Sequence, residues 1–435
     1  MKLRKTVPML LVAAALALSG CNKEATFSEK VDQGNLTVYV NDYFNEREKN
    51  QTVDVTTADI VAVGDNLIHS GLYKSGMNDS GVWNYDHLYQ YVKEDIETAD
   101  LACVNQETIY INDRNQLSGY PMFGTPPEIG DALVNAGFDV VTHATNHVMD
   151  RGEQGISDTL NFWKEKHPEM TVLGIHESQE EADKIQTVDV NGIRIAMLNY
   201  TYGTNGIPVP EDKPYLVDLF DPEEAAKDIK RAKEISDVVM VFGHVGTEYV
   251  YEPSEESKEW VDFFLEQGVD IAVDSHPHVT EPYKMLTRED GHQMLVYYSM
   301  GNFISTQDAV PRLIGGMAKF TIEKKTTGNE SEITVKDYTM EPVVAHWNHN
   351  TGDYATYKLS DYTDELARKH GLYGITYDEL SVANLNNIFN NIMSTEVTPA
   401  AGKLTVSSAA AAGAGQSDPA DGSGGDIRER NLMKL

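Results

Sequence analysis

The sequence predicts an α/β protein built on parallel strands, with its functional site at their carboxyl ends. Two observations carry this. From Asp59 to about Ile322, short apolar runs alternate with helical stretches that have legible start signals, the pattern of βα units. At the ends of those runs stand five polar clusters rich in metal-type ligands: Gly64-Asp65, Asn105-Gln106-Glu107, Thr145-Asn146-His147, Gly243-His244-Val245-Gly246 and Ser275-His276-Pro277-His278. Open α/β sheets bind their ligands at that edge.

The expected strands, in order, are Ile60–Val63, Leu101–Val104, Val140–Thr142, Val172–Gly174, Ile193–Asn199, Val238–Phe242, Ile271–Val273 and Met294–Tyr298. Three helix starts are readable. Thr125-Pro126-Pro127-Glu128 has the form of a capping box, with Gly137 to close the helix. Asp221-Pro222-Glu223-Glu224 puts a cap, a proline and two acids in the first turn. A third helix over 255–267 presents Val261, Phe264 and Leu265 to the core and ends at Gly268.

The flanks read differently. Lys2, Arg4 and Lys5 precede an apolar run from Val7 to Leu18 that is too short to span a bilayer. Leu18-Ser19-Gly20-Cys21 then matches a lipobox. Residues 1–20 are expected to be a lipoprotein signal peptide. Acyl chains on Cys21 would hold the mature chain to the outer face of the bacterial cytoplasmic membrane. Residues 21–56 read as a membrane-proximal spacer with one short strand near Leu36–Val40. The main domain is expected over 57–323 and a small C-terminal extension over 324–393, with a helix at 377–391. The Ala-, Gly- and Ser-rich remainder, 394–435, lacks the apolar content to order itself. Cys103 has no partner once Cys21 is lipidated, so it reads as a small buried hydrophobe.

Lys and Arg number 35 against 68 Asp and Glu, a formal net charge of -33. No basic stripe offsets this, which disfavours nucleic acid as a partner. An anionic polymer would be approached only through bound cations or a local basic patch.

The clusters suit metal chemistry. Neutral imidazoles at His244, His276 and His278 are good donors to zinc, iron or manganese. Asp65 and Glu107 add carboxylates, and Asn146 offers a neutral carbonyl oxygen. Asp65, after Gly64, is expected where the backbone turns sharply. Asn105 lies two residues before Glu107 and so points the same way in extended chain. His147, with Asp150 three residues on to orient it, suits general acid catalysis. His69 is open between the pocket and a solvated loop; Glu248 is open between ligand, orienter and rim charge. Asn302 is placed either in the pocket or in a turn. His143 reads as a packed strand-end residue.

These segments resemble the CapA-type proteins of poly-γ-glutamate capsule synthesis, a branch of the calcineurin-like metallophosphoesterase superfamily. The stretches that carry the resemblance are Val63–Asp65, Ala99–Leu101 with Asn105–Glu107, Thr145–Gly152, His244–Tyr249, Ser275–His278 and Tyr298–Phe303, in family order. The resemblance implies a four-layer α/β/β/α metallophosphoesterase-like sandwich with a metal centre at the sheet ends. Three departures stand out. Asp65 is followed by Asn66-Leu67 where the superfamily has Asp-x-His. Asn105-Gln106-Glu107 replaces its second Gly-Asp motif, and Thr145 stands where an asparagine is common.

The function expected from these residues is metal-dependent hydrolysis of a phosphoester or a γ-glutamyl amide in a cell-surface polymer. One or two divalent ions, manganese, iron or zinc, would be held by Asp65, Glu107, Asn146, His244, His276 and His278. The rival reading is a non-catalytic accessory protein that grips an anionic polymer through metal, alongside a polymer synthetase or exporter.

Overall fold

The computed structural model describes residues 53–404, except 79, together with 406. Cys21, the expected signal peptide, most of the spacer and residues 407–435 lie outside the described residues. The chain divides into two compact units, and everything below concerns the larger, Val55–Lys324 with Glu332 onward.

The strands are β1 (Val53–Asn66), β2 (Leu101–Asn105), β3 (Val140–Thr142), β4 (Thr171–Leu173), β5 (Gln186–Val190), β6 (Ile193–Thr201), β7 (Val238–His244) and β8 (Ile271–Ser275). They continue with β9 (Tyr283–Thr287), β10 (Gln293–Tyr297), β11 (Asn302–Ile304), β12 (Ile314–Thr327), β13 (Glu330–Asn348) and β14 (Asp353–Lys358). The longer helices are α1 (Glu128–Ala136), α2 (Gly152–Lys166), α3 (Pro222–Ile235), α4 (Glu255–Gln267) and α5 (Val382–Met393).

Two sheets result. One runs β14-β13-β12-β1-β2-β3-β4, with β11 also paired to β1; the other runs β5-β6-β7-β8-β10-β9. The pairings β1–β2, β2–β3, β3–β4, β6–β7, β7–β8 and β8–β10 are parallel, as expected of βα units.

Side-chain parity shows the layers. Ile195, Met197, Met240, Phe242, Val273 and Leu295 of the second sheet share one core with Ile60, Val63 and Cys103 of the first. Their sequence neighbours Ala196, Leu198, Val239, Val241, Ala272 and Val296 belong to another core with α3 and α4. Successive strand residues point to opposite faces, so the second sheet has the first sheet on one side and helices on the other. Both parities of β1, Ile60 through Val63, are buried because α1 and α2 pack into the first sheet's core through Ile129, Leu133, Phe162 and Trp163. The architecture is the expected α/β/β/α sandwich. Among the described residues no helix is long and apolar enough to cross a membrane.

Several expectations need correction. Thr125 does not cap α1; its hydroxyl donates to Thr108 Oγ1 (2.7 Å), and Pro127 occupies the cap position without a side-chain bond. Gly137 does close α1, with φ of 101°. Asp221 caps α3 through the amides of Glu223 and Glu224, and Ser254 and Gly268 bound α4. The segment 324–393 is no appendage: β13 and β14 extend the first sheet, and α5 begins at Val382, capped by Ser381. Residues 394–404 also depart from a free tail. Val397 and Leu404 pack on the core under α4, and the Ala400 amide donates to Asp262 (3.1 Å).

Candidate metal centre

The centre forms where the carboxyl ends of the two sheets meet. In the first sheet, register places Asp65 beside Asn105 on one side and Asn302 on the other. In the second it places His244 beside Thr201 and Ser275. Gly64 is required by close approach: β1 continues to Asn66 through register shifts on either side of Asp65, and a Cβ at Gly64 would sit 2.0 Å from the Gly301 carbonyl.

Glu107 is the hub. It is 1 % exposed, and neither carboxylate oxygen has a hydrogen-bond partner among the described residues. His244 Nε2 is 3.8 Å and His278 Nε2 3.7 Å from its Oε1. One candidate ligand atom from each of Glu107, His244 and His276 lies within 4.8 Å of the others, and so does one from each of Asp65, Glu107 and His278. Two donor triads therefore share one carboxylate. Asn146 joins the first of them, its Oδ1 3.1 Å from His244 Nε2. A buried acid left without donors is costly unless a cation balances it, so the residues present fit a divalent metal, which Glu107 and the donors around it would hold.

The electrostatics agree. Burial pushes Glu107 well above the usual carboxylate range. Burial pulls His244 well below the usual imidazole value and His276 down to about 3, helped by the neighbouring histidines. Both are thus neutral donors at physiological pH. On His278 burial acts downward too, but the carboxylates of Glu107 and Asp65 outweigh it and push it up to about 9. Asp65 Oδ2 meets His278 Nδ1 at 2.9 Å, and its Oδ1 accepts from Asn105 Nδ2 at 2.8 Å.

His147 and Asp150 stand together beside this centre. His147 Nδ1 is 2.8 Å from Asp150 Oδ2, which also accepts the Phe123 amide (2.6 Å). With Nδ1 occupied, Nε2 is left for chemistry. Phe123 packs edge-on against His147, ring centres 4.6 Å apart.

The remaining expected residues take lesser places. Asn105 holds Asp65. His69 lies outside both donor triads; it packs on Phe123 (5.3 Å), and burial lowers it to about 4. Glu248 is exposed, a rim charge. Asn302 is wholly buried, with Nδ2 3.1 Å from the His278 carbonyl. His143 accepts from Trp163 Nε1 (2.9 Å), a packed residue as read. Sequence reasoning missed Tyr202, whose ring lies 4.7 Å from that of His276. It also missed Arg312, whose guanidinium sits over the Tyr249 ring. A lone arginine outside any patterned run gave no signal.

Comparison with known proteins gives the following. The family profile described as "Bacterial capsule synthesis protein PGA_cap" matches residues 59–307, more than half of the chain. The "PGA biosynthesis protein CapA" of Bacillus subtilis (strain 168) is 29 % identical over 264 residues, covering 59 % of this chain and 67 % of that protein. The "Capsule biosynthesis protein CapA" of Bacillus anthracis is 27 % identical over 231 residues, 51 % of this chain and 54 % of its own length, so the match spans about half of that relative. A 5'-nucleotidase structure from Candida albicans SC5314 aligns at TM-score 0.34 and 11 % identity, over 77 % of this chain and 57 % of that one.

Proposed function

The chain belongs to the bacterial capsule synthesis protein PGA_cap family, and on that premise we propose that it is a lipid-anchored, metal-dependent hydrolase. The bond it cleaves would be a phosphoester or a γ-glutamyl amide. The observation that supports this is Glu107, a buried carboxylate without a donor among the described residues, shared by two triads of metal-type ligands. Asp65 and His278 would hold one ion, and Asn146, His244 and His276 the other. Divalent ions there would supply Lewis acidity and lower the pKa of water. Asp150 fixes the His147 ring through Nδ1, so that Nε2 can pass a proton to the departing oxygen or nitrogen. Because the curated relatives are named for capsule and PGA biosynthesis, a γ-linked glutamate polymer is the first substrate to try.

Two experiments test this reading. Purified protein loaded with manganese, iron or zinc should turn over an activated phosphodiester or a γ-glutamyl amide, and a chelator should stop it. Full metal content without turnover of either would hand the function to the rival reading, a metal-bridged polymer-binding accessory. For the anchor, Cys21→Ser should release the protein from membranes or leave it unprocessed. A correctly cleaved mutant that still needs detergent for extraction would overturn that part.

A further inference from the structure

Backbone strain among the described residues is concentrated at one place. Six residues other than glycine have positive φ. Three of them, Asn191, Asn205 and Asp337, are of the types that tolerate it. The other three are His276 (109°), His278 (58°) and Tyr249 (67°). Histidine also tolerates the left-handed well, where His278 lies, whereas His276 lies outside it; both turns carry their imidazoles to the candidate metal centre. Tyr249 is not a metal-type ligand, yet its amide donates to the carbonyl of Pro277, between those histidines, at 2.8 Å. Strain of this kind persists where the surroundings over-determine it, and it clusters at working sites.

What Tyr249 presents is a seat for a cation. The guanidinium of Arg312 lies 3.6 Å from the centre of its ring, and that ring is 6.0 Å from the ring of His278. Arg312 is also tied to the centre through its backbone: Asn302 Nδ2 is 2.9 Å from the Arg312 carbonyl and 3.1 Å from that of His278. Asn302 itself pairs with Asp65 in register. Among the described residues the guanidinium makes one hydrogen bond, to Asp308 at 3.3 Å, and the Asp308 side chain is 85 % exposed. So weak a surface pair leaves most of the donor fork unused. A stacked, oriented arginine at the mouth of a metal centre, in a chain of net charge -33, is placed to attract one kind of ligand.

We propose that Arg312, braced on Tyr249, is an oxyanion-reading subsite that takes a carboxylate or phosphate of the substrate lying next to the bond presented to the metal centre. The proposal deepens the hydrolase reading above and rests on it for the word substrate. A planar fork suits either anion bidentately, and cation–π packing keeps the fork from rotating away. On a polymer of γ-linked glutamate every residue carries such a carboxylate. A phosphoester supplies the same chemistry from its own oxygens.

Binding, rather than turnover, is the direct test. Metal-loaded wild type and Arg312→Gln are titrated calorimetrically with γ-linked tetraglutamate, with its carboxamide counterpart, and with inorganic phosphate. Loss of a charge-assisted pair is expected to weaken an anionic probe by ~10–100-fold and to leave the carboxamide unchanged. Weakening of the tetraglutamate alone names the carboxylate as the source; weakening of phosphate alone names the phosphoester. Equal affinity of both proteins for both anions, or no binding of either anion by wild type, overturns the subsite. An equal loss on the carboxamide shows a merely structural arginine and overturns it too. If the Arg312 dependence appears but no substrate is cleaved, the subsite stands and the hydrolase reading falls.

Discussion

Glu107 and the pair Asp274–Glu281 are both buried acids, 1 % exposed in the first case and 0 % in the second, and both groups have carboxylate oxygens without partners among the described residues. Burial pushes all three carboxyls well above their usual range. Their surroundings differ. Glu107 is ringed by His244, His276 and His278, with Asp65 beside it. Asp274 faces a backbone amide, that of Gly243, at 3.1 Å, and the charge nearest Glu281 besides Asp274 is Lys258. A buried carboxyl whose burial outweighs any distant cation, with no imidazole at hand, keeps its proton and behaves as a neutral polar group of the core. One facing several imidazoles at metal-ligand spacing is arranged for a cation. An orphaned acid therefore marks a metal site only where the other donors converge. The Asp274 carboxyl instead braces the strand end that carries His244, and a Cβ at Gly243 would meet it at 2.4 Å.

Isosteric amides separate the two groups most sharply. Under the proposed function, Glu107→Gln should cut turnover by ~10⁴-fold or more, a loss of about 5 kcal/mol of transition-state stabilisation, because both donor triads lose the carboxylate they share. Glu281→Gln should change turnover by less than ~3-fold, since an amide replaces a neutral carboxyl. Comparable losses in the two variants would erase the distinction. His147→Ala should lower the rate by ~10²–10⁴-fold while elemental analysis finds its metal intact. If it sheds metal along with activity, the residue belongs to the ligands rather than to proton transfer.

The next effect is smaller and follows from His278. Its value is raised to about 9, so in the metal-free protein its contribution to stability is complete below pH 6.5 and is lost as pH rises through about 9. Metal binding runs the other way, because the ion must displace that proton. Affinity should climb by roughly tenfold per pH unit up to about pH 9 and then level off. Competition with a chelator of known affinity across pH 6–9.5 would reveal a flat profile if His278 is not a ligand. The smallest change expected is in thermal unfolding. Glu281→Gln should alter stability by less than about 1 kcal/mol, and a loss several times larger would mean that this carboxyl is ionised and paired.

Most of the candidate donors that the fold brings together were legible in the sequence because they stand at or just past strand ends. Asp65, Glu107, Asn146, His244, His276 and His278 each close an apolar run, and parallel strands bring such positions to one edge. The short range of hydrogen bonding made Asp150 readable as the partner of His147. Arg312 and Tyr249 were not readable as a pair, since 63 positions of chain separate them and only the tertiary fold stacks one on the other. Strands β13 and β14 read as an extension because the first half of β13 is largely exposed and polar and β14 is the sheet edge. Helix α2 was missed for want of a capping side chain at Arg151. The reach of 394–404 along α4 depends on a few apolar residues, Val397 and Leu404 among them, in a polar stretch.

Metal stoichiometry in single-ligand variants tests the central claim, that one carboxylate serves two ions, most directly. Wild type, His276→Ala, His278→Ala and Glu107→Gln are loaded with manganese or zinc, desalted and assayed by elemental analysis, with thermal melts to confirm folding. Two ions per chain are expected in wild type, about one in each histidine variant, and the fewest in Glu107→Gln. Two ions retained by a folded Glu107→Gln, or none bound by wild type, would contradict the account.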